Sequence, residues 1–411
     1  LADFVAEDRI LPLAQAISRV FARHGEKQNR NRARLKFLVS KLGLEEFRRL
    51  VMEELETLPA DDRHAGYIDE LDDYGEEPVR QGLTLNGEAV DDGFYDWYRT
   101  NVYKQRQSGY STITVKLPLG DLTSWQMRQL ADIAEEFVGD YVRTTVEQNI
   151  VLRWVSDKDL PEVYKRLNAV GLGSAGANTI VDITTCPGTD TCKLGIASSR
   201  GLTGELSKRL EAKRADLPKA VEELKIKVSG CFNSCGQHHV ADIGFFGNSR
   251  RSGNHKVPHF QVVLGGQWQN NGGSYGLAIG AVPAKVVPDV LDTITRTYVD
   301  ERLDDENFQA WVERKGKRAI KDMLTPFMTL PTFMEAPQMF TDWGDSRVYS
   351  ISDIGIGECA GEVVSLFSIE ISKAESAHFD ALIALDEGDY ELADQKAYQA
   401  MLLAARALVR T

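Results

Sequence analysis

Four of the five cysteines form two tight pairs, a grouping that suits metal ligation. Cys186 and Cys192 are separated by five residues, and Cys231 and Cys235 by three. Structural zinc sites favour pairs separated by about two to four residues, so the two pairs together fit zinc poorly. A cubane iron–sulfur cluster takes its thiolates from a larger perimeter and accepts longer loops. The spacing therefore favours a [4Fe–4S] cluster.

Glycine and proline beside both pairs are typical of loops that approach a cluster closely. Pro187 and Gly188 follow the first cysteine, and Gly230 and Gly236 enclose the second pair. Glycine permits close backbone approach, and backbone N–H groups near the sulfurs tune a cluster's potential. Four unrelated buried cysteines are the alternative interpretation, because cysteine is a common core residue.

The bulk composition excludes several classes of protein. The chain has 411 residues, enough for two or three domains, and a net charge of −13. An acidic total disfavours wholesale nucleic-acid binding, although a local basic pocket can still hold a small anion. No apolar run of about 18 residues is present, and no signal region follows Leu1. We expect a trimmed or processed piece of a cytoplasmic protein that binds neither membranes nor nucleic acid.

The elements that must position the cysteines fall into four predicted parts, and the expected fold class is α+β. Residues 1–92 predict a helical bridge followed by an acidic linker with little periodicity. Residues 93–170 predict a ferredoxin-like half-domain, because strand, helix, strand, strand and helix patterns follow one another. Residues 171–325 hold both cysteine pairs and predict an α/β domain. Residues 326–411 predict a helical accessory tail that ends in an antiparallel helical hairpin.

Two local patterns complete the prediction. Residues 123–138 form an amphipathic helical pattern with Thr123 or Ser124 as its N-cap. The fifth cysteine, Cys359, stands among glycines in a predicted turn before a helix, where a small buried residue is the default interpretation.

The signature around the cysteines resembles that of a known family. Cys-x5-Cys and Cys-x3-Cys, the latter followed by Gly-Gln and by Val-Ala-Asp-Ile-Gly-Phe, resemble the sirohaem-binding signature of the nitrite and sulfite reductase haemoproteins. Residues 143–150 resemble the family's strand-end segment ahead of the cluster domain. Residues 19–55 resemble the helical bridge between its two pseudo-symmetric halves. The resemblance covers about residues 1–325.

This resemblance implies cofactors, a reaction and a partner. Cys186, Cys192, Cys231 and Cys235 would hold a [4Fe–4S] cluster, and Cys235 would also bridge a cluster iron to the sirohaem iron. The implied reaction is the six-electron reduction of sulfite to sulfide or of nitrite to ammonia. Ferredoxin or a similar one-electron donor would supply the electrons through the cluster. Residues 171–325 would therefore be a sirohaem- and [4Fe–4S]-binding domain.

Sirohaem carries many carboxylates, so the resemblance requires a locally basic and polar pocket. The candidate sirohaem partners are Arg143, Gln148, Asn149 and Asn233. A basic loop after Gly247 is a weaker candidate, because basic loops are more often simply solvated; it contains Arg250, Arg251 and Lys256.

Two other residue pairs near the second cysteine pair could carry chemistry. His238 and His239 are candidate proton donors, since imidazole titrates near neutral pH, although a packed histidine is the competing interpretation. Lys225 and Lys227 flank Ile226 on a strand that enters Cys231. The family uses a Lys-x-Lys pair on its substrate, but in its other half, so that role is not transferred here.

The chain departs from the full family pattern at its N-terminal side. The family's first half supplies the arginines and lysines that grip the anion, whereas residues 1–57 match only the bridge that follows that half. We therefore expect the missing half in cis or in trans, because this chain alone would lack much of the sirohaem pocket and the substrate site. The sequence carries features of both sulfite and nitrite reductases. The first cysteine pair favours sulfite slightly.

Two alternatives come from other classes of protein. One is an iron–sulfur electron-transfer protein without sirohaem, and the other is a zinc-stabilised interaction module with a helical tail. A flavin or nicotinamide enzyme is disfavoured. Residues 171–176 spell the glycine pattern of a dinucleotide site, but they follow a predicted helix rather than a strand.

Overall fold

The computed structural model divides the chain into two compact units, Leu1–Pro78 and Val79–Thr411. The structure describes residues 1, 4–29, 32–69, 76–85, 92–139, 141–268, 273–351, 366–386 and 388–409. Among these residues, none of the helices combines the length and the apolar character needed to cross a bilayer.

The first unit is helical and has a small core of its own. Its interior is built from Ala16, Val20, Leu38, Phe47 and Val51. The last helix lies in the acidic stretch that the sequence predicted as a linker, and Asp61 at its start accepts the N–H of Arg63. This local cap is invisible to a periodicity analysis. The helices are α1 (Glu7–His24), α2 (Leu35–Leu42), α3 (Leu44–Thr57) and α4 (Asp62–Asp69).

The second unit opens with the predicted ferredoxin-like half. An antiparallel sheet of order β1-β2-β4-β3 packs against two helices, and Thr123 caps the first of them in a capping box with Gln126. The strand, helix, strand, strand, helix order is confirmed. A preceding helix and a short exposed edge strand were not predicted. The elements are α5 (Asp92–Asn101), β1 (Val102–Lys104), β2 (Tyr110–Val115), α6 (Ser124–Phe137), β3 (Arg143–Thr144), β4 (Ile150–Ser156) and α7 (Leu160–Ala169).

The cysteine-bearing part is a mixed five-stranded sheet covered by helices. Its order is β5-β6-β7-β8-β9, with the first three strands parallel and the remaining neighbours antiparallel. The large core beneath it includes Val228, Phe245, Phe260 and Trp311, all fully buried. The elements are β5 (Thr184–Thr185), α8 (Ser199–Ala212), α9 (Lys219–Glu222), β6 (Ile226–Ser229), β7 (Ile243–Ser252), β8 (His255–Leu264), β9 (Leu277–Pro283), α10 (Val287–Glu301) and α11 (Phe308–Leu324).

The parallel pairing of β5 with β6 brings the two cysteine pairs to one edge of the sheet. Thr185 is opposite Val228 in the register, and the N–H of Cys186 donates to the carbonyl of Val228 at 3.1 Å. Carboxyl ends of parallel strands meet at the same edge, where functional loops of open α/β sheets collect. The residues that follow, Cys186 after β5 and Cys231 after β6, are therefore neighbours.

The prediction of a basic loop after Gly247 is wrong, because its residues lie in a β-hairpin. Arg250 and Arg251 belong to β7, Lys256 belongs to β8, and Arg251 is directly opposite Lys256. Gly253, at a φ of 57°, supplies the tight turn. The charged outer half of the hairpin is largely solvated, so the sequence there does not show the alternation of apolar and polar residues that is typical of strands.

The C-terminal part begins with irregular chain and ends in the predicted helical hairpin, which is confirmed. Helices α12 (Leu366–Asp386) and α13 (Tyr390–Val409) contact each other. Small buried residues line the hairpin: Ala374, Ala377, Ala381, Ala384, Ala393 and Ala400. Cys359 and its predicted turn lie outside the described residues.

Candidate iron–sulfur and sirohaem site

The four paired cysteines converge. The pKa of the Cys231 thiol is raised mainly by burial, and the thiols of Cys186, Cys235 and Cys192 all raise it further. Among the described residues, no three or more His, Cys, Asp or Glu side chains are close enough to hold a single metal ion. The four thiols are therefore near enough to influence one another, as the ligands of one cluster must be.

Backbone N–H groups point at two of the sulfur atoms. Gly230 donates to the Sγ of Cys186 at 3.0 Å, and the N–H of Asn233 lowers the pKa of the Cys231 thiol by hydrogen bonding to it. Hydrogen bonds of this kind favour the thiolate form. They are also the contacts that tune a bound cluster.

Glycines let the two cysteine loops pack backbone against backbone. A Cβ at Gly230 would lie 2.6 Å from the Cα of Gly188, and one at Gly188 would lie 2.3 Å from the Oγ of Ser199. A Cβ at Gly247 would lie 2.1 Å from the carbonyl oxygen of Gly230. No side chain fits these positions. The glycine cradle and the four thiols together fit a [4Fe–4S] cluster.

The loop of Cys235 is open to solvent. Cys235 is exposed, Phe232 is 67% exposed, and Tyr275, which stacks on His239, is 75% exposed. A bridging thiolate and the apolar surface beside it would suit the face of a macrocycle. Ser234 adopts a positive φ of 62°, a conformation that L side chains rarely adopt and that clusters at functional sites. Sequence analysis missed it, because serine carries no such signal.

Strand β3 and the turn that joins it to β4 hold three of the four candidate sirohaem partners. Gln148, at a φ of 67°, donates to the carbonyl of Thr185 at 2.7 Å and accepts its N–H at 3.0 Å. It therefore links this turn to the residue before Cys186. Asn149 is buried, and its amide bridges the N–H of Leu117 and the carboxylate of Asp182. Arg143 is exposed, at the start of β3.

The other predicted residues lie around the second cysteine pair. Asn233 is exposed between Cys231 and Cys235. Lys227 is only 3% exposed, yet its Nζ donates to the amide oxygen of Gln237 at 3.1 Å and burial lowers its pKa. Lys225 donates to the backbone carbonyl of Asn178. A buried ammonium paired with an amide is costly, and such groups mark functional sites.

The two histidines form a contacting pair, with their rings tilted by 51°, rather than two independent acids. His238 is fully buried, with its Nδ1 2.9 Å from the Oγ of Ser229 and its Nε2 3.1 Å from the Nε2 of His239. Burial lowers the pKa of His238 to about 3, with a further contribution from His239. His238 is therefore neutral near neutral pH. Burial also lowers the pKa of His239, which is partly exposed.

A cavity of about 830 Å³ lies beside the first cysteine pair. Its lining includes Cys192 together with Lys193, Arg200, Asp342 and Tyr349. Asp342 and Tyr349, which follow the sheet domain in the sequence, therefore form part of the wall of this cavity. No pattern in the sequence indicated this cavity.

The chain belongs to the nitrite and sulfite reductase family. The model of the nitrite and sulphite reductase 4Fe-4S domain matches residues 1–58 and 176–327. The model of the nitrite/sulfite reductase ferredoxin-like half domain matches residues 103–170. A [4Fe–4S] cluster and sirohaem are the cofactors that this membership implies, and the predicted family is confirmed.

Relatives of both kinds are similar to the chain. It is 29% identical over 324 residues to sulfite reductase (ferredoxin) 1 of Mycolicibacterium paratuberculosis, which covers 78% of this chain and 54% of the relative. It is 28% identical over 289 residues to the ferredoxin–nitrite reductase of Synechococcus elongatus, covering 70% of this chain and 50% of the relative. The chain thus spans about half the length of the curated relatives it matches.

A solved structure supports the α+β fold. The Mycobacterium tuberculosis NirA protein superposes with a TM-score of 0.59 at 25% sequence identity. The match covers 76% of this chain and 53% of that chain. The expected fold class is confirmed.

Proposed function

We propose that this chain is the cluster- and sirohaem-binding half of a reductase that transfers six electrons to sulfite or nitrite. One observation carries the proposal: four thiols converge on glycine-cradled loops, and Cys235 alone among them is exposed. That asymmetry is what a cluster with one shared thiolate needs. Cys186 and Cys231 are buried and Cys192 is partly buried, so Cys235 is the thiol best placed to reach a second group.

The residues of this chain would hold and tune the cofactors. Cys186, Cys192, Cys231 and Cys235 are the proposed cluster ligands, with the N–H groups of Gly230 and Asn233 favouring thiolate charge. When bound there, the cluster and the sirohaem would supply one-electron transfer and reduction of the anion. A thiolate shared between the two centres would keep that transfer short.

The proposed sirohaem contacts divide into direct and indirect ones. Arg143 and Asn233 are exposed, so we propose that their side chains contact the carboxylates of the macrocycle directly. Gln148 and Asn149 already use their amides on the protein, so we propose that they act by positioning the turn. His239 is the better candidate proton donor, because His238 is sealed and neutral.

We propose that a second half completes the site, in cis or in trans. The chain covers about half the length of the relatives it matches. In addition, the Cys235 loop exposes apolar surface that a partner would cover. Ferredoxin or a similar one-electron donor is the proposed electron source, as the names of the relatives suggest. The relatives include both sulfite and nitrite reductases. Sulfite remains our preferred substrate on the sequence of the first cysteine pair.

An absorption spectrum with iron, sulfide and tetrapyrrole analysis tests the proposal. Protein completed with its second half should contain about five irons for every four sulfides, because sirohaem adds one iron to the cluster, and should show a Soret band and a red band from sirohaem. A broad shoulder without tetrapyrrole would indicate an iron–sulfur electron carrier instead. Zinc without iron or sulfide would indicate an interaction module. Steady-state turnover of each anion then separates sulfite from nitrite.

Cysteine variants provide a matched control for the iron and sulfide measurements. Cys231→Ser should abolish cluster loading, because it removes one of the enclosed ligands. Cys359→Ser changes the one cysteine outside the proposed set and should load as much iron as the unmodified chain. Equal iron content in the two variants would reject the ligand assignment.

A further inference from the structure

Residues 329–351 follow the family match, which ends at residue 327, and reach back to the cysteine loops. We propose that this clamp segment positions the loop that ties the two cysteine pairs together and thereby retains the cluster. Asp342 and Tyr349 are its positioning residues. The role in cluster retention rests on the proposed function. The contacts of the clamp segment do not.

The loop that the clamp segment contacts, residues 196–199, is named the hub loop because it bonds to both cysteine pairs. The N–H groups of Ile196 and Ala197 donate to the carbonyl of Gly230, which precedes Cys231, at 2.8 and 3.0 Å. The Oγ of Ser199 donates to the carbonyl of Cys186 at 2.8 Å. Movement of the hub loop would therefore displace ligands in both pairs.

The clamp segment bonds the hub loop at two points. The carboxylate of Asp342 accepts the N–H of Ser198 at 2.8 Å, at the N-terminus of α8, where negative charge is favourable. The hydroxyl of Tyr349 donates to the carbonyl of Ile196 at 2.5 Å. Asp342 is only 6% exposed. A buried carboxylate bonded to backbone N–H groups is a strong, specific contact.

The clamp segment is itself anchored to the sheet domain. The Nζ of Lys285 donates to the carbonyl of Asp342 at 3.0 Å, and the indole of Trp343 donates to the carbonyl of Ala284 at 2.8 Å. At its other end, Phe333 stacks on His255 with ring centroids 4.2 Å apart. The anchors at Lys285 and Ala284 are next to Asp342, so this carboxylate is presented to the hub loop in a defined geometry.

Hydrogen exchange of the cofactor-free chain of 411 residues tests the positioning step. Asp342→Asn cannot accept both the Ser198 and the Trp343 N–H groups, and Tyr349→Phe loses the bond to Ile196. Each variant should speed exchange in the hub loop by about five- to ten-fold, the effect of losing one hydrogen bond.

Two exposed residues provide the controls for the exchange experiment. Asp394 and Tyr398 both lie on α13, outside the clamp segment. Asp394→Asn and Tyr398→Phe make the same chemical changes as the two test variants and should leave hub-loop exchange unchanged.

Release of iron to a ferrous chelator tests the retention step on cluster-loaded chain. Asp342→Asn and Tyr349→Phe should lose iron several-fold faster than the two controls. Phe333→Leu weakens the packing of the clamp segment on His255 but leaves the hydrogen bonds of Asp342 and Tyr349 in place. It therefore shows how much of any change comes from general destabilisation. An equal rise in hub-loop exchange in Phe333→Leu, or no rise in Asp342→Asn and Tyr349→Phe, would overturn the clamp.

The two proposals fail in different ways. If the chain binds no cluster but the exchange results are as expected, the clamp segment still positions the hub loop and the proposed function is rejected. If the cluster loads and all variants release iron at the rate of the unmodified chain, the proposed function survives and the clamp is rejected.

Discussion

At the residue scale, Lys227 is a buried basic side chain near the cysteines. It is 3% exposed and bonds to an amide rather than a carboxylate. Lys227→Met should raise the free energy of unfolding of the cofactor-free chain by about 1–3 kcal/mol, because the buried charge is removed. The same variant should retain less sirohaem, if the charge serves the anionic cofactor.

Chemical denaturation of the cofactor-free chain measures the first effect. Lys219→Met is the matched control, since Lys219 is 86% exposed and should change stability little. An unchanged or lower unfolding free energy in Lys227→Met would show that Lys227 is adequately solvated or paired.

His238 provides a test of pH dependence. Its folded pKa, about 3, is below its ordinary value of 6.5, so the unfolded chain binds a proton that the folded chain does not. His238 therefore does not lower the free energy of unfolding above pH 6.5. As the pH falls from 6.5 toward about 3, the unfolded chain binds this proton and the folded state loses stability. In His238→Gln, unfolding free energy should fall less steeply over this window.

Denaturation curves across that pH range, with the exposed His378→Gln as control, check the sign. An unchanged pH dependence in His238→Gln would mean that His238 accepts a proton in the folded chain. Sequence analysis named both histidines but could not tell that His238 is sealed whereas His239 is partly exposed. That distinction depends on Ser229 and Phe246, which only the fold brings to His238.

At the element scale, glycine decides whether the two cysteine loops can meet. Gly230→Ala should abolish cluster loading, because its Cβ would lie 2.6 Å from the Cα of Gly188 and backbone atoms would have to move. Gly204→Ala is the matched control, since nothing lies within 4 Å of its Cβ and alanine favours the α8 helix by about 1 kcal/mol. Iron content after anaerobic reconstitution is the measurement. A full iron content in Gly230→Ala would contradict the claim that the two cysteine loops need glycine in order to meet.

The elements were predictable where the pattern was local and regular. Helix α6, with its Thr123 cap, and the helical hairpin follow from helical periodicity and capping residues. The Arg250–Lys256 hairpin was misread, because the charged residues at the outer end of β7 and β8 conceal the strand pattern there. The pairing of β5 with β6 could not be predicted, because a two-residue strand carries no pattern.

The site shows the same division. The cysteine spacing singled out four candidate ligands, because four thiols in two pairs are a specific signal. The hydrogen bonds from Gln148 to Thr185 and from the clamp segment to the hub loop join residues 37 and more positions apart. No local pattern marks such contacts. The positive φ values of Gln148 and Ser234 were equally hidden, since neither residue is glycine.

At the scale of the whole molecule, the chain matches about half the length of its relatives. We predict that this chain alone binds a cluster but retains less than one sirohaem per chain. Supplying the half that it does not match, as a longer chain or as a second polypeptide, should raise the tetrapyrrole content to stoichiometric and give turnover. Tetrapyrrole extraction measures the difference. Full sirohaem retention by this chain alone would contradict the need for a second half.

Anomalous diffraction at the iron edge, on crystals of the anaerobically reconstituted chain, tests the ligand assignment most directly. We predict one compact iron density bounded by the sulfur atoms of Cys186, Cys192, Cys231 and Cys235. Absence of iron between these four residues, or a single zinc ion held by some of them, would contradict it.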